Sequence, residues 1–136
     1  MSAAVWVRGG LALLAVSSLV NGLWASVAPR SFYDDFPGLG AAWVALLPPF
    51  NAHLVTDVGA FYLGFAVVLG WAAWSPAPAL MSAALAGYLV FSVPHLIFHV
   101  THLDGFSAFD ALSQTLGLVL VVVVPVGLLA LMRRRT

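Results

Sequence analysis

The chain is organised as long apolar stretches separated by short polar breaks. Four stretches, at roughly 5–28, 52–74, 79–101 and 108–132, each come near or exceed the ~20 residues that a membrane-spanning helix needs. The runs are continuous and lack the every-second-residue alternation of a membrane β-barrel strand, so the pattern predicts helices. The string Ala25-Ser26-Val27-Ala28 resembles a leader-cleavage site. Its apolar run is longer than the ~7–15 residues of a signal core, however, and Pro29 would follow the cut. The first stretch is therefore read as a helix. The expected fold is all-α: an integral membrane, antiparallel four-helix bundle, with residues 1–136 forming a single transmembrane domain and 29–51 a long outer loop. Ser75-Pro76-Ala77-Pro78 reads as a tight turn.

Composition strengthens the membrane assignment. Of 136 residues, 62% are hydrophobic and 7% charged, with a mean hydropathy of +1.04; a soluble domain carries about a quarter charged residues. Cysteine is absent, which removes disulfides, thiolate ligands and thiol redox chemistry. Arg8 precedes most of the first helix, and Arg133, Arg134 and Arg135 follow the last. The positive-inside bias then predicts a multi-pass protein of the cell membrane with both termini cytoplasmic. Those arginines suit anionic membrane lipid, and so few basic residues argue against nucleic acid as a partner. No nucleophilic serine motif, phosphate-cradling loop or dinucleotide fingerprint is present.

The polar positions are informative because they are few. His53 and Asp57 open the second stretch, and His95, His99 and His102 close the third. Consecutive spanning helices run antiparallel, so all five belong to the outer half of the bundle. A rise of ~1.5 Å per residue puts Asp57 about 6 Å deeper than His53, and places His99 and His95 about 4.5 and 10.5 Å deeper than His102. Spacings of four and three put His53 with Asp57 on one face and the three other histidines on one stripe. Asn21, Asp110, Ser113 and Gln114 occupy the same half.

This arrangement points to a metal centre. An ion would take His53 and Asp57 together with either His95 and His99 or His99 and His102, because three histidines spread over two turns cannot share bonds of ~2.0–2.2 Å. Nitrogen and carboxylate ligands suit zinc, iron, copper or manganese. Asp104, Asp110 and Gln114 would orient the ligating histidines. Haem b is the weaker alternative, with His53 and His99 as axial ligands and Gly59 and Gly64 making room. The bland account is that His53 and His102 reach into the interface, while His–Asp hydrogen bonds hold helices together. Asp57 and His95 resist it, since intramembrane ionisable groups are functional candidates by default.

The outer loop, Arg30-Ser31-Phe32-Tyr33-Asp34-Asp35-Phe36-Pro37-Gly38-Leu39-Gly40 and onward, interleaves aromatics with acids. A solvated loop anchored by interfacial aromatics is the favoured expectation. The other is an ordered lid including Trp43 and Phe50, with Asp34 or Asp35 folded over the histidines. Trp6, Trp24, Trp71 and Trp74 read as belt residues near helix ends.

Three strings, Ser31-Phe32-Tyr33-Asp34-Asp35-Phe36-Pro37, Pro49 to Gly59 and Val93 to Leu103, together resemble a family of small, uncharacterised four-helix integral membrane proteins of actinobacteria. The family pattern tends to carry an acid and an arginine at the positions of Ala52 and Thr56, where this chain departs. The resemblance spans nearly the whole chain. It implies the membrane architecture and brings no activity.

Two functional classes follow. One is a metal-dependent enzyme acting on a lipophilic substrate, with a bound ion activating water or polarising an oxygen and with Asp57 or an unligated histidine, His102 among them, as catalytic base. The alternative is a non-catalytic metal- or proton-responsive membrane protein, since histidine titrates between pH ~5 and 8. The apolar inner half argues against a transport path through one protomer, although glycine-rich faces permit a homo-oligomer.

Overall fold

The computed structural model describes residues 3–75 and 77–133. Pro76 of the predicted turn, and the Arg134 and Arg135 used for orientation, lie outside the described residues. The chain runs through α1 (Ala3–Val27), a short α2 (Pro29–Asp35), a two-stranded hairpin of β1 (Pro37–Gly38) and β2 (Ala41–Ala42), then α3 (Ala52–Trp74), α4 (Pro78–Val100) and α5 (Ala108–Arg133). Helices α1, α3, α4 and α5 are long and apolar enough to cross a membrane. The fold is the all-α helical bundle that the apolar pattern predicts.

Local chemistry sets the ends. Asn51 Oδ1 accepts from the backbone N–H of Leu54 at 3.2 Å and caps α3. Pro78 opens α4, where its missing N–H is no loss. Ser107 Oγ accepts from the Asp110 N–H at 3.1 Å and donates to Asp110 Oδ2 at 2.6 Å, starting α5. At the opposite end Arg8 Nε donates to the carbonyl of Ala73 at 2.9 Å. That contact satisfies one of the unpaired carbonyls in the last turn of α3.

Two helix pairs build the bundle. The most extensive packing joins α1 to α3, followed by α4 to α5, with lighter seams between the pairs. Glycine makes the first pair close. A Cβ at Gly22 would lie 2.8 Å from the backbone nitrogen of Leu63, and one at Gly59 would lie 2.7 Å from that of Ser26. The two backbones therefore meet directly, which is how helices associate where lipid removes the hydrophobic incentive.

The terminal end of the bundle, formed by the start of α1, the end of α3, the start of α4 and the end of α5, holds the core. Leu11, Leu14, Leu69, Met81, Leu85 and Leu128 pack there in one buried cluster. The other end carries the 29–51 segment, which is not the favoured solvated loop but an ordered lid of one short helix and a hairpin packed through its aromatics. Phe32 and Tyr33 of α2 are buried. Phe36 lies between Phe32 and Trp43, with ring centroids at 4.8 and 6.3 Å. Between the strands, Leu39 and Gly40 have φ of 59° and 84°, the pair of positive values that a type I′ hairpin turn uses. Trp24, expected as a belt residue, instead supports this lid: its ring is 5.6 Å from Phe32, and Nε1 donates to Ser31 Oγ at 3.2 Å.

Candidate functional site

The five predicted site residues share one end of the bundle but separate into three places. His53 and Asp57 form a pair on the outside of α3, Nε2 to Oδ2 at 3.2 Å, with side chains 81% and 50% exposed. Asp57 lines a shallow open groove with Ala60 and Gly64 rather than facing α4's histidines. The glycine contact explains this rotation. Gly59 is turned into α1, and two residues along a helix is roughly 200° around its axis. Spacing put His53 and Asp57 on one face; the Gly22–Gly59 approach turned that face away from the bundle. Gly59 is thereby filled against α1 and offers no room for a macrocycle.

His102 lies beyond α4, after the cap residue Thr101. Its ring stacks on Phe98 at 4.1 Å, and Nδ1 is 2.8 Å from the Phe98 carbonyl oxygen. The helix ends before it, so it does not continue the stripe of His95 and His99. Asp34 accepts from Arg30 Nε at 2.6 Å, and that hydrogen bond holds the guanidinium above its usual pKa. Asp35 accepts from Ser31 Oγ at 3.0 Å. Both acids are occupied within α2 and do not fold over the histidines. Asp104 is exposed in the turn between α4 and α5. Among the described residues, no three histidine or carboxylate side chains gather as a group able to hold a metal ion.

His95 and His99 face inward. They line a cavity of about 350 Å³ between the two helix pairs in the lid half. Phe32, Phe36 and Trp43 form its roof, and Tyr62 and Tyr88 reach it from the middle of the bundle. Asn21 from α1 and Gln114 and Gly117 from α5 complete the part that matters chemically. The His95 and His99 ring centroids are 4.6 Å apart, and Phe91 stacks on His95 at 5.3 Å. Neither a carboxylate nor an arginine is among the described lining residues. The roof is tied down at its far side, where Trp43 Nε1 donates to Asp110 Oδ1 at 2.9 Å.

No protein-family model, curated protein or solved structure matches this chain. The family resemblance therefore rests on its three motifs alone, and function has to come from the cavity.

Two of its atoms stand out. Gln114 is 4% exposed, and its side chain neighbours His99 across the α4–α5 seam. Yet Gln114 Oε1 and His99 Nδ1 are both buried without a well-aligned hydrogen-bond partner. Buried polar groups are normally paired, and leaving one unpaired costs about 1–3 kcal/mol. Tyr62 and Tyr88 received no role from the sequence. The available signal was a pair of phenols placed deep in apolar helices, where a tyrosine hydroxyl needs a polar neighbour.

Proposed function

We propose that this chain is a multi-pass membrane protein that takes up a small lipophilic molecule beneath the aromatic lid and presents it to His95 and His99. The observation that carries this reading is the roofed, largely apolar cavity with two inward histidines at one wall. Concave apolar space with a few convergent polar groups is the usual form of a small-molecule site. A volume of about 350 Å³ suits a single ring or a short alkyl chain rather than a whole phospholipid. The histidines supply the reactive end: a neutral imidazole both gives and accepts a proton, the requirement for acid–base work on a bound molecule. Placing the lid on the outside of the cell, as the arginine bias predicts, would admit the molecule from the outer leaflet.

The test uses fluorescence of the protein in phosphatidylcholine nanodiscs, with dibromoundecanol as a quencher of the roof tryptophan Trp43. Saturable quenching in the wild type is expected, and Gly117→Phe should abolish it. A Cβ at Gly117 meets nothing within 4 Å, so the added ring would fill the cavity. Quenching that rises linearly with bilayer concentration in both proteins would sink the proposal.

One observation favours a second reading with a metal. His95 and His99 lie close enough, at 4.6 Å between centroids, for two nitrogens to hold one zinc, iron or copper ion, with oxygen from the bound molecule or water completing the shell. Elemental analysis beside His99→Ala decides it: about one equivalent of metal lost in the variant supports an ion, a Soret band indicates haem, and neither ends this second reading.

A further inference from the structure

The two unpaired atoms narrow the class of molecule, given the cavity-binding reading above. Gln114 Oε1 can only accept a hydrogen bond, so its partner must carry an O–H or N–H. His99 Nδ1, on the neighbouring side chain, is the other buried atom of the cavity without a well-aligned hydrogen-bond partner. A group that donates one hydrogen to Gln114 must satisfy His99 by accepting, which requires the imidazole tautomer protonated on Nδ1. A carbonyl or an ether could accept from His99 but would leave Gln114 Oε1 unpaired. A hydroxyl does both with one oxygen.

Charge points the same way. An ammonium head would find no carboxylate among the described lining residues. Asp57 faces away and is paired with His53, while Asp110 is engaged by Ser107 and Trp43. A carboxylate head would lack any arginine to meet it and would bring a net charge into apolar surroundings. We infer that the cavity recognises a neutral, hydroxyl-bearing lipophile, an alcohol or phenol, whose oxygen donates to Gln114 Oε1 and accepts from His99 Nδ1. The aromatic roof and the apolar walls take the rest of the molecule.

Displacement of dibromoundecanol by three competitors with the same para-hexylphenyl body tests this: para-hexylphenol, its methyl ether and para-hexylbenzoate. The phenol should displace the probe about tenfold or more better than the ether, the size of effect set by one buried acceptor left unpaired. In Gln114→Leu that preference should fall to near unity, with the ether unaffected. An ether as effective as the phenol in the wild type would overturn the inference, because the polar atoms would then be making no demand on the ligand. Preference for the benzoate would overturn it too, by showing an anionic head. The wild-type comparison needs no variant, so it decides the question even if Gln114→Leu folds poorly. Failure of the probe itself to bind saturably would instead remove the cavity reading on which this rests.

Discussion

The two ends of the bundle are built from the same kinds of residue and solve different problems. At the terminal end, leucines from all four long helices interdigitate, and Leu11, Leu69 and Leu85 are fully buried. At the lid end the helix pairs part, aromatics close the top, and almost every polar side chain within the spans is found there. A close-packed region resists deformation, and a cavity forfeits the dispersion contacts that packing would have supplied. The difference teaches that close packing and open space are segregated along the bundle axis. The lid half is held from its edges, by the Gly22–Gly59 contact on one side and the Trp43–Asp110 hydrogen bond on the other.

The sharpest way to break this comparison is to make the same substitution at both ends. Leu85→Ala should destabilise by about 2–5 kcal/mol, as for a fully enclosed leucine. Leu118→Ala, at the cavity wall, should fall well below that range, since its side chain already borders open space. Unfolding of both variants by dodecyl sulfate in mixed micelles measures the gap, and equal losses would mean that the lid end is as tightly packed as the other. A smaller effect is expected from the tie on the roof. Asp110→Ala removes the acceptor of that hydrogen bond while keeping Trp43 in place as the fluorescent reporter, and should raise the release rate of dibromoundecanol about tenfold. Stopped-flow dilution reads this directly; an unchanged rate would show that the lid is held by stacking alone. Smallest of all is His53→Ala. An exposed pair of this kind contributes little, so neither unfolding nor probe affinity should move measurably. A clear loss of affinity would return the outer pair to the site.

Much of the architecture was legible in the residues. The apolar runs marked the four spans to within a residue or two, because a helix in lipid must satisfy its own backbone and advertise its length as hydrophobicity. The lid was half legible. Its aromatic density left an ordered lid open, but a solvated loop was the favoured expectation, and nothing local showed that Arg30 and Ser31 would occupy Asp34 and Asp35. For the site, helical spacing correctly grouped His95 with His99 and His53 with Asp57, yet it could not orient the groups toward each other. That orientation depends on which face of α3 meets α1, and Gly59 with Gly22 determines it. Gln114 was expected to support a ligating histidine and sits beside His99, with its oxygen left for a partner. His102 shows a different limit: three residues on means the same stripe only while the helix continues, and α4 ends at Val100.

The pairing of helices also bears on how such a chain is made. α1 with α3, and α4 with α5, are each neighbours in order of synthesis once the lid is set aside, so each can close as a hairpin as soon as it enters the bilayer. The seams between the hairpins are lighter, and the cavity lies along them. Its walls come from both, which makes the pocket a product of docking between two finished halves: nothing that emerges first from the ribosome contains it, and the last helix delivered, carrying Gln114, completes its polar side.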